Sequence, residues 1–374
     1  MIRILKTCIW TFVLAGFVLY AANYLVLALG WQPFPDSNIG SNIPDEVLGY
    51  RLRGTRQVSG GTYINSLGLR GREIETPKDA ATLRIVCLGG STTYGVEVED
   101  HLTWPAILET ILNNIGLGHH FEVLNAGLPG YLSGHSRYKL DHELLALKPD
   151  IVLVMDGLND MATAYKKNLT SEAARRHYGQ AFVAGNVEHA RLLGLLKAAR
   201  LDVLAGLYWR FLIRSESEEQ VKRTIALALA GYAANIEAMA KACQAAGAAL
   251  YVVNAPWIFN TDRGMPDNWN DLHRDFTIAR EDFNILWYGA PLLRSVNDAL
   301  GRKLGTTVID VQAAIDAAPD RRSLFVKNDY IHFNKIGNFL IAYGIATVLA
   351  NRMAPDSGVP LPFVVEKAFP YLLP

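Results

Sequence analysis

The feature of this sequence that most constrains its fold is a series of five short apolar runs separated by segments with helical periodicity. The runs, rich in β-branched residues, are RIVCL (84–88), FEVLN (121–125), DIVLVMD (150–156), ALYVVN (249–254) and TTVIDV (306–311). Helical patterns occupy 103–115, 134–147, 218–247, 289–304 and 334–351. Continuous apolar strands that alternate with helices are typical of a parallel sheet covered on both faces. The sequence therefore predicts a three-layer α/β/α domain over residues 80–353, built on a five-stranded parallel sheet.

An uncharged apolar stretch precedes this domain. Residues 8–31 read CIWTFVLAGFVLYAANYLVLALGW, which exceeds the ~20 residues needed to cross the hydrocarbon core of a bilayer. Arg3 and Lys6 come before the stretch, and the next basic residue is Arg51. This asymmetry predicts a single-pass anchor over residues 1–31, with the N-terminus in the cytoplasm and the domain outside, periplasmic or at the cell surface. A cleaved signal peptide and a helix buried in the domain remain alternatives.

The segments outside the regular alternation have their own compositions. Residues 32–79 form a linker and a lead-in, and their runs LGYRLR and YINSLGLRG predict irregular structure or an edge hairpin. Residues 162–217 and 257–288 are insertions rich in leucine and aromatic residues. They are expected to form a lid, a substrate wall or an interfacial patch, or simply to pack over the sheet. Residues 354–374 contain five prolines and are expected to wrap the surface.

Charge and cysteine usage argue against a nucleic-acid-binding protein, a disulfide-stabilised fold and a cysteine metal site. The 36 basic and 36 acidic residues cancel, so no global field would attract nucleic acid. Cys8, Cys87 and Cys243 are too scattered for a disulfide framework and lack metal-ligand spacing. No metal or organic cofactor is expected.

Polar and glycine-rich segments follow the predicted strands. They are LGGSTTYG (88–95), NAGLPGY (125–131), DGLND (156–160) and DYIHFNKIG (329–337). Each alone is typical of a turn, since Gly and Asn tolerate left-handed backbone. Ligands of open α/β sheets, however, bind outside the carboxyl ends of the strands. The four segments are therefore expected to converge on one edge of the sheet.

In this order the four segments resemble the conserved blocks of the SGNH, or GDSL-like, hydrolase superfamily. The resemblance covers roughly residues 84–351 and implies a flavodoxin-like sheet, the SGNH hydrolase fold. It implies that Ser91 is the nucleophile and that Asp329 and His332 are its partners. The NSLGLRG segment (65–71) is also similar to the lead-in of some bacterial members that carry an N-terminal anchor.

The resemblance also implies an oxyanion hole. Its donors would be the backbone N–H groups of Ser91 and Gly130 and the side-chain amide of Asn159, with Gly90 and Gly157 in supporting positions. The usual Gly-Asp-Ser is Gly-Gly-Ser here, because Gly90 stands where the acid would be. That acid is neither nucleophile nor base, so the implied mechanism is unchanged.

The function implied by the resemblance is a serine esterase or acylhydrolase that acts on carboxylic esters. Acyl groups on extracytoplasmic glycans or on lipids are the expected substrates. Two alternatives stay open, an O-acyltransferase that uses the same serine and a non-catalytic envelope scaffold on a hydrolase fold. No nucleic-acid partner is expected, and the oligomeric state is left open. Asp156 and Asp160, which flank the asparagine block, are expected to be local hydrogen-bonding groups.

Overall fold

The computed structural model describes residues 42–45, 47–54, 56–58, 61–167, 217–259, 280–327 and 329–355, with isolated residues between 11 and 21 and between 264 and 272. By its internal contacts the chain separates into Met1–Gly40 with His177–Glu216, and Ser41–Arg176 with Ser217–Pro374. Every strand and helix described below belongs to the second of these units.

Two antiparallel hairpins form the lead-in. β1 (Asn42–Asp45) pairs with β2 (Gly49–Leu52), and β3 (Arg56–Val58) pairs with β4 (Thr62–Ile64). Arg70, which follows the second hairpin, forms an antiparallel bridge with Asn125. The lead-in therefore lies along an edge of the main sheet, as the expected edge hairpin would.

The main sheet has five parallel strands. They are β5 (Thr82–Gly89), β6 (His120–Asn125), β7 (Ile151–Met155), β8 (Ala249–Asn254) and β9 (Thr307–Asp310). Their order is β6-β5-β7-β8-β9, so the chain winds outward in both directions from β5. This topology confirms the predicted five-stranded parallel sheet.

Helices cover both faces of the sheet. They are α1 (Ser91–Tyr94), α2 (Trp104–Asn114), α3 (Ser133–Lys139), α4 (Leu158–Lys167), α5 (Glu218–Ala246), α6 (Arg280–Leu304), α7 (Gln312–Asp316) and α8 (Lys335–Met353). Ile85 and Cys87 of β5 point into a core shared with α2 and α8. Val86 and Leu88 point into the opposite core, shared with Leu140 and Leu144 after α3 and with α4, α5 and α6. Alternate side chains of a strand face opposite sides of the sheet, so a strand covered on both faces must be apolar throughout.

Two predicted helices differ from the observed ones. α6 begins at Arg280 rather than at 289, and Pro291 lies inside the helix. The helix predicted over 134–147 ends as α3 at Lys139 and continues as a π-turn, Leu140–Leu144, and a 3₁₀ turn, Leu145–Leu147.

The predicted anchor lies largely outside the described residues. Within 8–31 the structure describes six helical residues, namely Thr11, Leu14, Gly16, Val18, Tyr20 and Ala21. In the described part of the chain, no helix has the length and apolar character needed to span a bilayer. Residues 168–216 of the first insertion and 356–374 of the tail are likewise outside the described part.

Candidate active site

Ser91 is placed by a tight turn at the end of the central strand. β5 ends at Gly89, where an added Cβ would lie 2.8 Å from the carbonyl oxygen of Met155 on β7. Gly90 then caps α1, and the N–H of Tyr94 donates to the Gly90 carbonyl at 3.0 Å. Ser91 is thus the first helical residue, and the N–H of a first helical residue has no acceptor within its own helix. The turn places this hydroxyl and this N–H at the carboxyl edge of the sheet.

The loop before α8 brings His332 and Asp329 to Ser91. His332 Nε2 lies 2.8 Å from Ser91 Oγ, and His332 Nδ1 lies 2.6 Å from Asp329 Oδ2. The second carboxylate oxygen, Oδ1, accepts the backbone N–H groups of Ile331 at 2.7 Å and His332 at 2.9 Å. The carboxylate therefore orients the imidazole and its own loop together.

The surroundings of Asp329 keep it ionised. Burial by itself would raise the pKa of this carboxyl, but the hydrogen bond and charge of His332 and the backbone N–H groups of His332 and Ile331 hold the pKa below its ordinary value. An anion beside Nδ1 favours the tautomer that carries its proton on Nδ1. Nε2 is then free to accept a proton from Ser91.

Asn334 holds the far end of this loop. Its side-chain oxygen accepts the N–H groups of Ile336 at 2.9 Å and Gly337 at 3.2 Å, which caps the start of α8. Its amide donates to the carbonyls of Ser323 and Phe325. This cap satisfies backbone donors that a helix N-terminus leaves open.

The predicted oxyanion residues lie on the two neighbouring strand exits. Gly130 follows β6 with φ of 81°, a left-handed conformation that favours glycine. Asn159 lies in the first turn of α4 after β7, and its Nδ2 donates to the Tyr131 carbonyl at 2.9 Å. An added Cβ on Gly90 would lie 2.6 Å from that same Nδ2. The Asn159 amide therefore lies against the turn that carries Ser91.

Gly157, in the DGLND segment, occupies a position where a side chain would not fit. Gly157 has φ of 107°, and a Cβ there would lie 2.5 Å from Leu293 on α6. The chain passes through Gly157 as it turns from β7 into α4. A side chain at this position would displace the start of the helix that carries Asn159.

Asp160 ties the third block to the second. Its carboxylate accepts the hydroxyl of Ser133 at 2.6 Å and the N–H of Ser133 at 3.1 Å. Asn235 of α5 donates to the same hydroxyl at 3.0 Å. Asp160 is thus a buried hydrogen-bonding group that joins the starts of α3 and α4.

Asp156 is also buried, but unlike Asp160 it has a carboxylate oxygen, Oδ2, with no hydrogen-bond partner among the described residues. Burial, with a further contribution from the charge of Asp160, raises the pKa of Asp156 to about 8 from an ordinary value of 3.8. The folded protein thus retains a proton that the unfolded chain releases. The stability attributable to this group is therefore complete below pH 3.8 and lost as the pH rises to about 8.

We expect Asp156→Asn to gain stability relative to wild type as the pH rises, because the amide has no proton to lose. The difference in unfolding free energy between variant and wild type should shift by a few kcal/mol in favour of the variant between about pH 4 and pH 8. Urea unfolding of both proteins at several pH values measures it. A difference in unfolding free energy that does not change with pH would contradict the raised pKa of Asp156.

Two lead-in residues to which the sequence analysis assigned no role contact the site loops. Tyr50 of β2 donates its hydroxyl to the carbonyl of Pro129, next to Gly130, and its own carbonyl accepts the hydroxyl of Tyr131 at 2.8 Å.

Arg70 donates to the carbonyls of Tyr94 and Gly95 at the end of α1. The available sequence signal for Arg70 was its place in the NSLGLRG segment (65–71).

Aromatic residues at the ends of the second insertion pack inside the molecule. The Phe259 ring lies 5.4 Å from that of Phe283 and 5.3 Å from that of Trp287. Phe259 and Phe283 are buried in the core under α8. For these residues the structure favours ordinary packing.

Among the described residues, no three or more His, Cys, Asp or Glu side chains are grouped so that they could hold a metal ion. Cys87 and Cys243 are buried thiols, and burial raises the pKa of each.

The arrangement of Ser91, His332 and Asp329 can perform nucleophilic chemistry. A serine hydroxyl becomes nucleophilic when a base accepts its proton during attack. An imidazole at hydrogen-bond distance, held by a carboxylate on its other nitrogen, meets that requirement. Backbone and amide donors on the neighbouring loops could stabilise an oxyanion beside the serine.

Comparison with known proteins gives a family match. The family model described as GDSL-like Lipase/Acylhydrolase family matches residues 87–338, and these residues include all four motif blocks. No curated protein matches the sequence.

Solved structures with similar folds include two esterase-type enzymes. The acetylxylan esterase Axe2 from Geobacillus stearothermophilus has 12% identity and a TM-score of 0.43, with 75% of this chain and 95% of that chain covered. The lipase/acylhydrolase from Enterococcus faecalis has 18% identity and a TM-score of 0.40, with 72% of this chain and 96% of that chain covered.

Proposed function

Because the chain belongs to the GDSL-like lipase/acylhydrolase family, we propose that it is a serine esterase in which Ser91 attacks the carbonyl carbon of a carboxylic ester. The observation that carries the proposal is the hydrogen-bonded series from Ser91 Oγ to His332 Nε2, at 2.8 Å, and from His332 Nδ1 to Asp329 Oδ2, at 2.6 Å. Both distances are within the range for a nucleophile, its base and the group that orients the base.

In the acylation step, Ser91 Oγ forms a bond to the carbonyl carbon while His332 Nε2 takes the hydroxyl proton. Collapse of the tetrahedral intermediate breaks the bond to the alcohol oxygen, and His332 returns the proton to that oxygen. Water then attacks the acyl-serine with His332 again as base, releasing the acid and restoring Ser91. Asp329 stabilises the imidazolium in both steps.

The negative charge of each tetrahedral intermediate requires donors that are already in place. The proposed donors are the N–H groups of Ser91 and Gly130 and the Nδ2 group of Asn159. The bond from Asn159 to the Tyr131 carbonyl uses one of the two amide hydrogens. The other hydrogen remains for the oxyanion.

The proposed substrates are acyl groups, such as O-acetyl, on glycans or lipids outside the cytoplasmic membrane. Support for the location comes from residues 8–31, an uncharged apolar stretch preceded by Arg3 and Lys6. In this proposal the stretch anchors the protein, with its N-terminus in the cytoplasm.

Reaction of the purified full chain with a fluorophosphonate probe tests the proposed function. We expect one covalent adduct per molecule, located on Ser91 by mass spectrometry of peptides, and turnover of p-nitrophenyl acetate and butyrate that the probe abolishes. An adduct on another residue would reassign the nucleophile. A folded protein that neither reacts nor turns over ester would favour the non-catalytic scaffold instead.

A further inference from the structure

The NSLGLRG segment of the lead-in is a tight turn that presents one arginine. Asn65 begins the turn, and its side-chain oxygen accepts the N–H groups of Leu67 at 3.1 Å and Leu69 at 2.9 Å. Gly68 has φ of 73°, and Leu69 is buried in the core that α5 shares. Arg70 follows, and its N–H donates to the Asn125 carbonyl on β6 at 3.1 Å. The backbone of the arginine is therefore fixed on the sheet.

The guanidinium of Arg70 uses all five of its N–H groups. Nε donates to Asp100 at 2.7 Å, and one terminal nitrogen donates to Thr62 Oγ1 at 2.9 Å and to the Val98 carbonyl at 2.5 Å. The other donates to the Tyr94 carbonyl at 2.8 Å and the Gly95 carbonyl at 2.5 Å. The Arg70 side chain is only 2% exposed, so water does not compete for these hydrogen bonds.

Apart from Thr62 Oγ1 on β4, the acceptors lie on the segment that leaves Ser91. α1 has four residues, and one helical turn is unstable without external contacts because the cost of nucleation is not repaid by further turns. The carbonyls at the end of a helix also have no partners within it. Arg70 supplies donors to the carbonyl of Tyr94, the last residue of α1, and to that of Gly95, which caps it. Its cation complements the negative end of the helix. Its guanidinium also lies 4.6 Å from the centre of the Tyr94 ring.

We propose that Arg70 is a positioning residue of the active site, which fixes the end of α1 and thereby the position of Ser91 Oγ relative to His332. This inference rests on the proposed function. It makes the lead-in, far from the motif blocks in sequence, part of the apparatus that sets the rate of serine attack. Lysine should not replace Arg70 fully, because its single ammonium group cannot reproduce a planar fork with five donors.

Arg84 provides a matched control in the same chain. It is also a buried arginine, and it pairs with Glu122 at 2.5 Å while donating to the Leu147 and Glu75 carbonyls. It lies near the start of β5, however, whereas Ser91 follows the end of that strand. Loss of Arg84 should cost stability in the way that loss of Arg70 does, without moving the nucleophile.

The experiment compares wild type, Arg70→Lys and Arg84→Lys below their unfolding temperatures. It measures the second-order rate of fluorophosphonate inactivation, and kcat and KM for p-nitrophenyl acetate per titrated active site. We expect Arg70→Lys to lower the inactivation rate and kcat by about 10- to 100-fold, the scale of a small misplacement of reacting groups, with KM nearly unchanged. Arg84→Lys should lower the melting temperature but keep wild-type rates per active site.

Asp100→Asn is the milder second variant. It removes the charge that pairs with Arg70 Nε, and its amide can keep only one of the two bonds that the carboxylate accepts, from Arg70 Nε at 2.7 Å and from the Tyr63 N–H at 2.7 Å. We expect an effect in the same direction and of smaller size, and it serves as the deciding variant if Arg70→Lys does not fold. Wild-type rates per active site in whichever variant folds, or equal losses in Arg84→Lys, would overturn the positioning role. A wild type inert toward the probe would instead overturn the proposed function, and this inference with it.

Discussion

Replacement of His332 by alanine is expected to reduce kcat for p-nitrophenyl acetate by about five to six orders of magnitude. His332 Nε2 is the described group placed to accept the Ser91 proton, at 2.8 Å. Without it the serine attacks as a neutral hydroxyl, and the water that hydrolyses the acyl-serine has no base. Ser91→Ala should cost about as much, and the double variant should be no worse than either single variant, because residues that act as one unit are strongly non-additive.

His142→Ala is the control for these measurements. His142 is exposed, and its ring stacks on Tyr138 at 4.0 Å on the surface of the segment that continues α3. It should retain wild-type kcat. Asp329→Asn should retain more activity than His332→Ala, because it impairs the orientation and charge of the base without removing it. If His332→Ala kept activity within about tenfold of wild type, the general base would have to be another residue.

The sheet and the convergence of the motif blocks were predictable from sequence for a simple physical reason. A parallel sheet covered on both faces requires continuous apolar strands, and such runs are visible without any alignment. The observed strands, for example β8 at Ala249–Asn254, match the predicted runs to within two residues. Once the strands are placed, Ser91, Asn159 and the neighbouring loops must share one edge, because all parallel strands end there.

The contributions of the lead-in could not be predicted in the same way. Tyr50 and Pro129 are 79 positions apart, and Arg70 and Tyr94 are 24 apart. Nothing local in the sequence indicates which carbonyls a buried arginine or a tyrosine hydroxyl will reach. These contacts depend on how a hairpin folds against an edge strand, which only the tertiary structure specifies.

The structure also explains why residue 90 is a glycine. The family resemblance implies that Gly90 stands where an acid is usual, one that is neither nucleophile nor base. In the folded protein a Cβ at this position would lie 2.6 Å from Asn159 Nδ2, closer than real contacts allow. Any side chain at residue 90 in this backbone would displace the amide of Asn159 or the turn before Ser91.

Asn159→Ala is expected to lower kcat by about two to three orders of magnitude with little change in KM, the usual cost of one oxyanion donor, ~3 kcal/mol. The donor acts on charge that develops only in the transition state, so substrate binding should be nearly unaffected. The measurement is kcat and KM of the purified variant, with circular dichroism to establish that it is folded.

Gly90→Ala tests the same donor without removing it. Its added methyl should displace the Asn159 amide and reduce kcat by about tenfold or more, less than complete loss of the donor. In the Asn159→Ala background, where the amide is already absent, the same substitution should have a much smaller effect, since contacting residues couple in a double-mutant cycle. Strictly additive losses would show that Gly90→Ala acts on the serine turn itself. An Asn159→Ala protein with unchanged kcat would exclude the amide from the oxyanion hole and leave the backbone N–H groups of Ser91 and Gly130 as its donors.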